Sequence, residues 1–159
     1  MIYLVHHGDA IPSEIDPRRP LSDRGRAAVL LLADEAARRG AKPEAIWHSG
    51  KLRARQTAEA FLRVCHPFAS LTAERGLQPT DPPEWMRDRL LGERRELMLV
   101  GHLPNLPRLF RLLIREDPDT SPMAFPQHGL IALEGGDDQW REAWRISGAS
   151  GAPRASEGT

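Results

Sequence analysis

With a single cysteine, Cys65, the 159-residue chain has no partner for an internal disulfide, which fits a reducing compartment. The next arginine after it is Arg75, too distant for the tight phosphate loop of a thiolate phosphatase. Net charge is absent too: 22 lysines and arginines balance 22 aspartates and glutamates, so no global field draws nucleic acid or an anionic membrane. No apolar run approaches the ~20 residues of a spanning helix, and no leader precedes the first strand pattern, so the cytoplasm is the expected compartment. The chain carries no Gly-x-x-x-x-Gly-Lys-Ser/Thr loop, which argues against nucleotide-dependent phosphoryl transfer. Without His-Glu-x-x-His or paired cysteines, neither a metal nor any other cofactor is expected. Lysine occurs only at positions 42 and 51, so the cations are nearly all arginines, the residue suited to bidentate phosphate binding.

What is present alternates between strand and helix patterns. Ile2-Tyr3-Leu4-Val5 reads as a buried strand that runs into His6, His7 and Gly8. A proline-rich loop follows. Ser22 then caps a helix with an apolar run from Ala27 to Ala37, ending at Gly40. Ala45–His48 reads as a second strand, with Ser49 capping a helix over about 52–64. The stretch 71–77 gives a weak strand signal, and Thr80-Asp81-Pro82-Pro83 a turn into a helix over about 84–91. Leu97–Val100 is a fully apolar strand stopping at Gly101-His102, and Pro104 opens a helix whose inward stripe is Leu106, Leu109, Phe110 and Leu113. Residues 129–133 and 140–146 read as a hairpin turning through Gly135–Asp138.

This pattern predicts one α/β domain over residues 1–147: a three-layer α/β/α sandwich on a mostly parallel sheet, with a C-terminal antiparallel hairpin. Residues 148–159 read as a disordered tail of small and polar residues. Ligands of such sheets bind at the carboxyl ends of the strands, where both His7 and His102 fall. Taken alone, His-His-Gly is equally a pair of satisfied histidines at a strand end.

Three segments, Leu4-Val5-His6-His7-Gly8, Ser49-Gly50-Lys51-Leu52-Arg53-Ala54-Arg55-Gln56-Thr57-Ala58 and Leu99-Val100-Gly101-His102, resemble in order and spacing the histidine phosphatase superfamily, also called phosphoglycerate-mutase-like. Arg19-Pro20-Leu21-Ser22-Asp23-Arg24-Gly25 resembles a stretch of its short bacterial phosphohistidine phosphatases. The resemblance implies that His7 attacks phosphorus, that Arg53 and His102 hold the phosphoryl oxygens, and that Arg19 reaches in from the loop. It also places His6 where the family pattern has arginine. A histidine there offers at most one proton of charge and is largely neutral at pH 7 unless a bound phosphate raises its pKa; His6 and His102 serve best protonated and His7 only unprotonated, which implies a narrower, more acidic optimum. Arg18, Arg24 and Arg55 are expected on the surface, His48 and His66 as ordinary histidines, and His128 at most lining the pocket.

A carboxylic acid often protonates the leaving group in this family. Asp81 and Glu84 are the candidates, with Asp81 reading as readily as a turn residue and helix cap. A phosphohistidine substrate needs such an acid less, since protonated imidazole leaves readily. The resemblance therefore implies a metal-independent phosphatase whose partner is a protein bearing phosphohistidine, with no nucleic acid and no membrane. A small phosphoester substrate, or a catalytically weak phosphate- or phosphoprotein-binding domain, stands as the alternative.

Overall fold

In the computed structural model, which describes residues 1–117 and 124–148, the apolar runs lie side by side in one six-stranded sheet. The elements in chain order are β1 (Ile2–His6), α1 (Asp23–Arg38), β2 (Ala45–His48), α2 (Leu52–Cys65) and β3 (Ser70–Ala73). They continue with α3 (Pro83–Leu90), β4 (Leu97–Gly101), α4 (Asn105–Ile114), β5 (Leu130–Gly136) and β6 (Gln139–Ile146). The sheet order is β3-β2-β4-β1-β5-β6. The first four strands are mutually parallel, β5 runs antiparallel to β1, and β6 antiparallel to β5. The expected architecture is thus the observed one.

Side-chain alternation along β1 explains the layers. Tyr3 and Val5 join Val29, Leu32, Ala58 and Phe61 of α1 and α2 in one core. Ile2 and Leu4 join Met86, Leu90, Leu106 and Leu109 of α3 and α4 in the other. A strand buried on both faces has to be apolar throughout, and each of these side chains stabilises the fold by about 1.5–3 kcal/mol. Among the described residues no helix is long and apolar enough to cross a membrane.

Several boundaries differ from the sequence expectations. Ser22 does cap α1, accepting from the Gly25 amide at 2.9 Å. Ser49, expected to cap α2, does not: the cap position is Lys51, without a side-chain cap bond. The third strand stops at Ala73 rather than 77, because Gly76 turns the chain with a positive φ of 103°. Asp81 fastens that loop, its Oδ2 accepting from the amides of Gly76 (3.1 Å) and Gln78 (3.0 Å), and Pro82 takes the cap position of α3. The hairpin strands extend through Gly136, leaving Asp137 and Asp138 as the turn. The tail expected after residue 147 lies, beyond Gly148, outside the described residues.

Candidate active site

The parallel pairing of β1 with β4 places His6 opposite Gly101, and the His7 amide donates to the Gly101 carbonyl at 3.1 Å. The two strand ends therefore present His7 and His102 together, with ring centroids 4.9 Å apart. Ser49, directly after β2, completes a row of three strand ends: its Oγ lies 2.7 Å from His102 Nε2. The serine that fails to cap a helix orients an imidazole instead.

His7 Nδ1 lies 2.7 Å from the Gly8 carbonyl oxygen. A carbonyl only accepts, so Nδ1 carries the proton and Nε2 keeps its lone pair. Burial pushes the His7 pKa down to about 4; the Gly8 bond opposes this, while Arg53, His128 and Arg19 add to it. At neutral pH His7 is an uncharged imidazole with a nucleophilic Nε2, as phosphoryl attack requires.

The cations around it come from two elements. Arg53 stands in the first turn of α2, with its Nε buried and without a hydrogen-bond partner. Its pKa is lowered by burial and then by the nearby charge of Arg19. Arg19 adopts a left-handed φ of 48°, and its Nε donates to the Ile11 carbonyl at 3.2 Å. The loop that carries it is tied down where the Leu21 amide donates to Gln56 Oε1 (2.8 Å) and Ser22 Oγ donates to Asp9 Oδ2 (2.7 Å). The Asp16 carboxylate pairs with Arg18, while its carbonyl accepts from the Arg19 amide at 3.0 Å. His102 Nδ1 is also buried without a partner. Burial, then His7 and the cations Arg53, Lys51 and Arg19, lower its pKa to about 3. Two unpartnered polar nitrogens beside crowded cations describe a hollow that an anion would stabilise.

Gly8 and Thr57 set the spacing between His7 and Arg53. The Gly8 amide donates to Thr57 Oγ1 at 3.0 Å, and that hydroxyl donates to the Arg53 carbonyl at 2.8 Å. A Cβ on Gly8 would meet Val29 Cγ2 at 2.5 Å, so only glycine lets β1 and α1 approach this closely. Thr57→Val keeps the shape but strands the Gly8 amide. We expect a stability loss of about 1–3 kcal/mol in urea unfolding, and a loss below ~0.5 kcal/mol would refute this role.

His6 departs from its sequence expectation. Its Nδ1 accepts from the His128 amide at 2.7 Å, which fixes the neutral ring with its proton on Nε2. Burial above all, with His7, His128, His102 and Arg53, lowers its pKa to about 2. His6 is a neutral donor here, and protonating its Nδ1 would cost the His128 amide bond, which opposes the imidazolium form behind the expected acidic optimum. His128 lies at the site rather than at its margin: its ring stacks on His6 with centroids 4.7 Å apart and planes within 6°. Sequence reasoning lacked a motif for it.

The remaining candidates stand apart. Asp81 is spent on its loop, and Glu84 is exposed on α3. Arg55 pairs with Glu59 at the surface, as expected. Cys65 is half-buried with its thiol pKa pushed up to about 11 by burial, far from a reactive thiolate. One ring nitrogen each of His6, His7 and His128 lies within 4.8 Å of the others, a spacing that invites a metal reading. The near-parallel stack of His6 and His128 opposes it, because their in-plane lone pairs do not converge at the ~2.1 Å that a metal needs.

Residues 2–97 match the model of the histidine phosphatase superfamily, branch 1, and the chain belongs to that superfamily. Among solved structures it is similar to the SixA protein of Agrobacterium tumefaciens, assigned as a phosphohistidine phosphatase. The two are 29% identical with a TM-score of 0.74, over 92% of this chain and 96% of that one. It shares its fold with the protein histidine phosphatase SixA complexed with tungstate (21% identity, TM-score 0.77, 92% and 96% covered). It also shares it with a mycobacterial glucosyl-3-phosphoglycerate phosphatase (15% identity, TM-score 0.65, 89% and 96% covered). No curated protein sequence matches the chain.

Proposed function

We propose that this chain is a cytoplasmic, metal-independent phosphatase that hydrolyses phosphohistidine on proteins through a phospho-His7 intermediate. The observation that carries the reading is the bond from His7 Nδ1–H to the Gly8 carbonyl, which leaves a neutral Nε2 beside Arg53. In the first step Nε2 forms a bond to phosphorus as the substrate's P–N bond breaks, and that electron pair leaves on the substrate imidazole. Arg53 and His102 hold the phosphoryl oxygens, with His6 as a neutral donor and Arg19 adding charge from the loop. The Gly8 carbonyl keeps the proton on Nδ1, so phospho-His7 is a phosphoimidazolium. In the second step water forms its bond to phosphorus, the N–P pair returns to Nε2, and the proton of water leaves with the phosphate or to solvent.

Substrate class follows from the missing acid. Asp81 Oδ2 already accepts two amides and Glu84 is exposed, so neither is held as a buried proton donor to an alkoxide leaving group, which favours an imidazole. A phosphohistidine ring already protonated at its other nitrogen leaves as neutral imidazole and needs none. The test is rapid quenching with a radiolabelled phosphohistidine protein, alongside turnover of an ordinary phosphomonoester. We expect acid-labile label on His7, faster turnover of the protein, and full activity after treatment with a chelator. Binding without label would favour a phosphoprotein-binding domain, faster phosphomonoester turnover a small-molecule phosphatase, and loss on chelation a metal enzyme.

A further inference from the structure

His128 is held against the site by its backbone and its ring together. It takes a left-handed φ of 53°, uncommon outside glycine though tolerated by His and Asn. Its amide donates to His6 Nδ1 at 2.7 Å, and its own Nδ1 lies 2.6 Å from the His7 carbonyl oxygen. A carbonyl only accepts, so Nδ1 of His128 is protonated and Nε2 is the nitrogen left to face a ligand. The ring is half-buried, stacked on His6 and 5.9 Å from the His7 ring centroid. One ring nitrogen of His128 lies within 4.8 Å of one on His7 and one on His6, which puts the three imidazoles around one small volume.

The two stacked rings differ in one respect. His6 is unable to gain a proton at Nδ1 without losing the His128 amide bond, whereas His128 keeps its bond to the His7 carbonyl in either protonation state. A neutral His128 would turn a lone pair toward the anion, which is repulsive; a second proton converts that contact into a charge-assisted donor. We propose that His128 binds the phosphoryl group as an imidazolium, taking up its proton as the anion arrives, and so supplies with His6 the donors and charge that one arginine supplies in the family motif. The titratable and charged groups facing it are His6 and His7 of β1 and its continuation. Across the same hollow stand Arg53 of α2, Arg19 of the loop and His102 after β4.

The assignment rests on the phosphoryl-site reading above and is tested with tungstate, a dianion at neutral to mildly alkaline pH. Calorimetric titrations at pH 8, in two buffers of different ionisation enthalpy, count the protons taken up on binding. The wild-type chain is expected to take up about one proton more per tungstate than His128→Asn, which suits the left-handed backbone and preserves the amide bond to His6. The variant's affinity should fall by at least about tenfold. His128→Ser, run in parallel, guards against a folding failure and should give the same two shifts. Equal proton uptake overturns the assignment whatever the affinity does. A wild-type chain that fails to bind tungstate overturns it together with the phosphoryl site itself.

Discussion

Replacing His7 with glutamine is expected to lower turnover by at least about 10³-fold while leaving tungstate affinity within about threefold. Removing a covalent nucleophile abolishes the stepwise path, and what remains is the modest catalysis of a binding site acting on water. The anion's partners (Arg53, Arg19, His102 and the His6–His128 stack) come from other residues, so binding and chemistry separate in this variant. His7 contributes a lone pair rather than a charge, because burial keeps its pKa at about 4. A variant with turnover within tenfold of wild type would place the nucleophile elsewhere. One that loses tungstate and turnover together would make His7 a binding residue.

Acid should destabilise the chain well before its carboxylates titrate. Burial, reinforced by neighbouring histidines and arginines, lowers the pKa of His7 to about 4, of His102 to about 3 and of His6 to about 2. In the unfolded chain all three return to the ordinary value near ~6.5. The folded state thus binds fewer protons than the unfolded state, and its stability is full above pH ~6.5 and declines as pH falls toward the folded values. At ~1.4 kcal/mol per unit over the ~1.5 units from ~6.5 down to pH 5, each ring forfeits about 2 kcal/mol, and the three together about 6 kcal/mol. Urea unfolding at pH 7.5 and pH 5 in phosphate-free buffer measures this directly. Equal stabilities would mean that the rings are not held neutral.

The sheet was legible because strands buried on both faces must be apolar throughout, and Ile2–Val5 and Leu97–Val100 are. The proximity of His7 and His102 followed from two such strands ending in the same direction. Ser22 was legible as a cap because the signal is local, three residues from the amide it satisfies. Ser49 obeyed the same local rule and was misread, since a buried imidazole from a distant strand claims its hydroxyl. His128 was beyond sequence reasoning for a related reason: its partners His6 and His7 lie more than a hundred residues away, and no spacing records that contact. The neutrality of His6 at pH 7 was legible from its ordinary pKa, but the backbone amide that fixes its tautomer and opposes an imidazolium there was invisible in composition. Asp81 was half legible, a turn residue as expected, but serving amides within its loop rather than the helix after it.

The Thr57 hydroxyl, shared between the amide beside the nucleophile and the carbonyl of Arg53, joins two elements that would otherwise drift independently. The His7 imidazole, in the proposed role of nucleophile, and the Arg53 guanidinium thereby ride on a common frame, preset before any anion arrives.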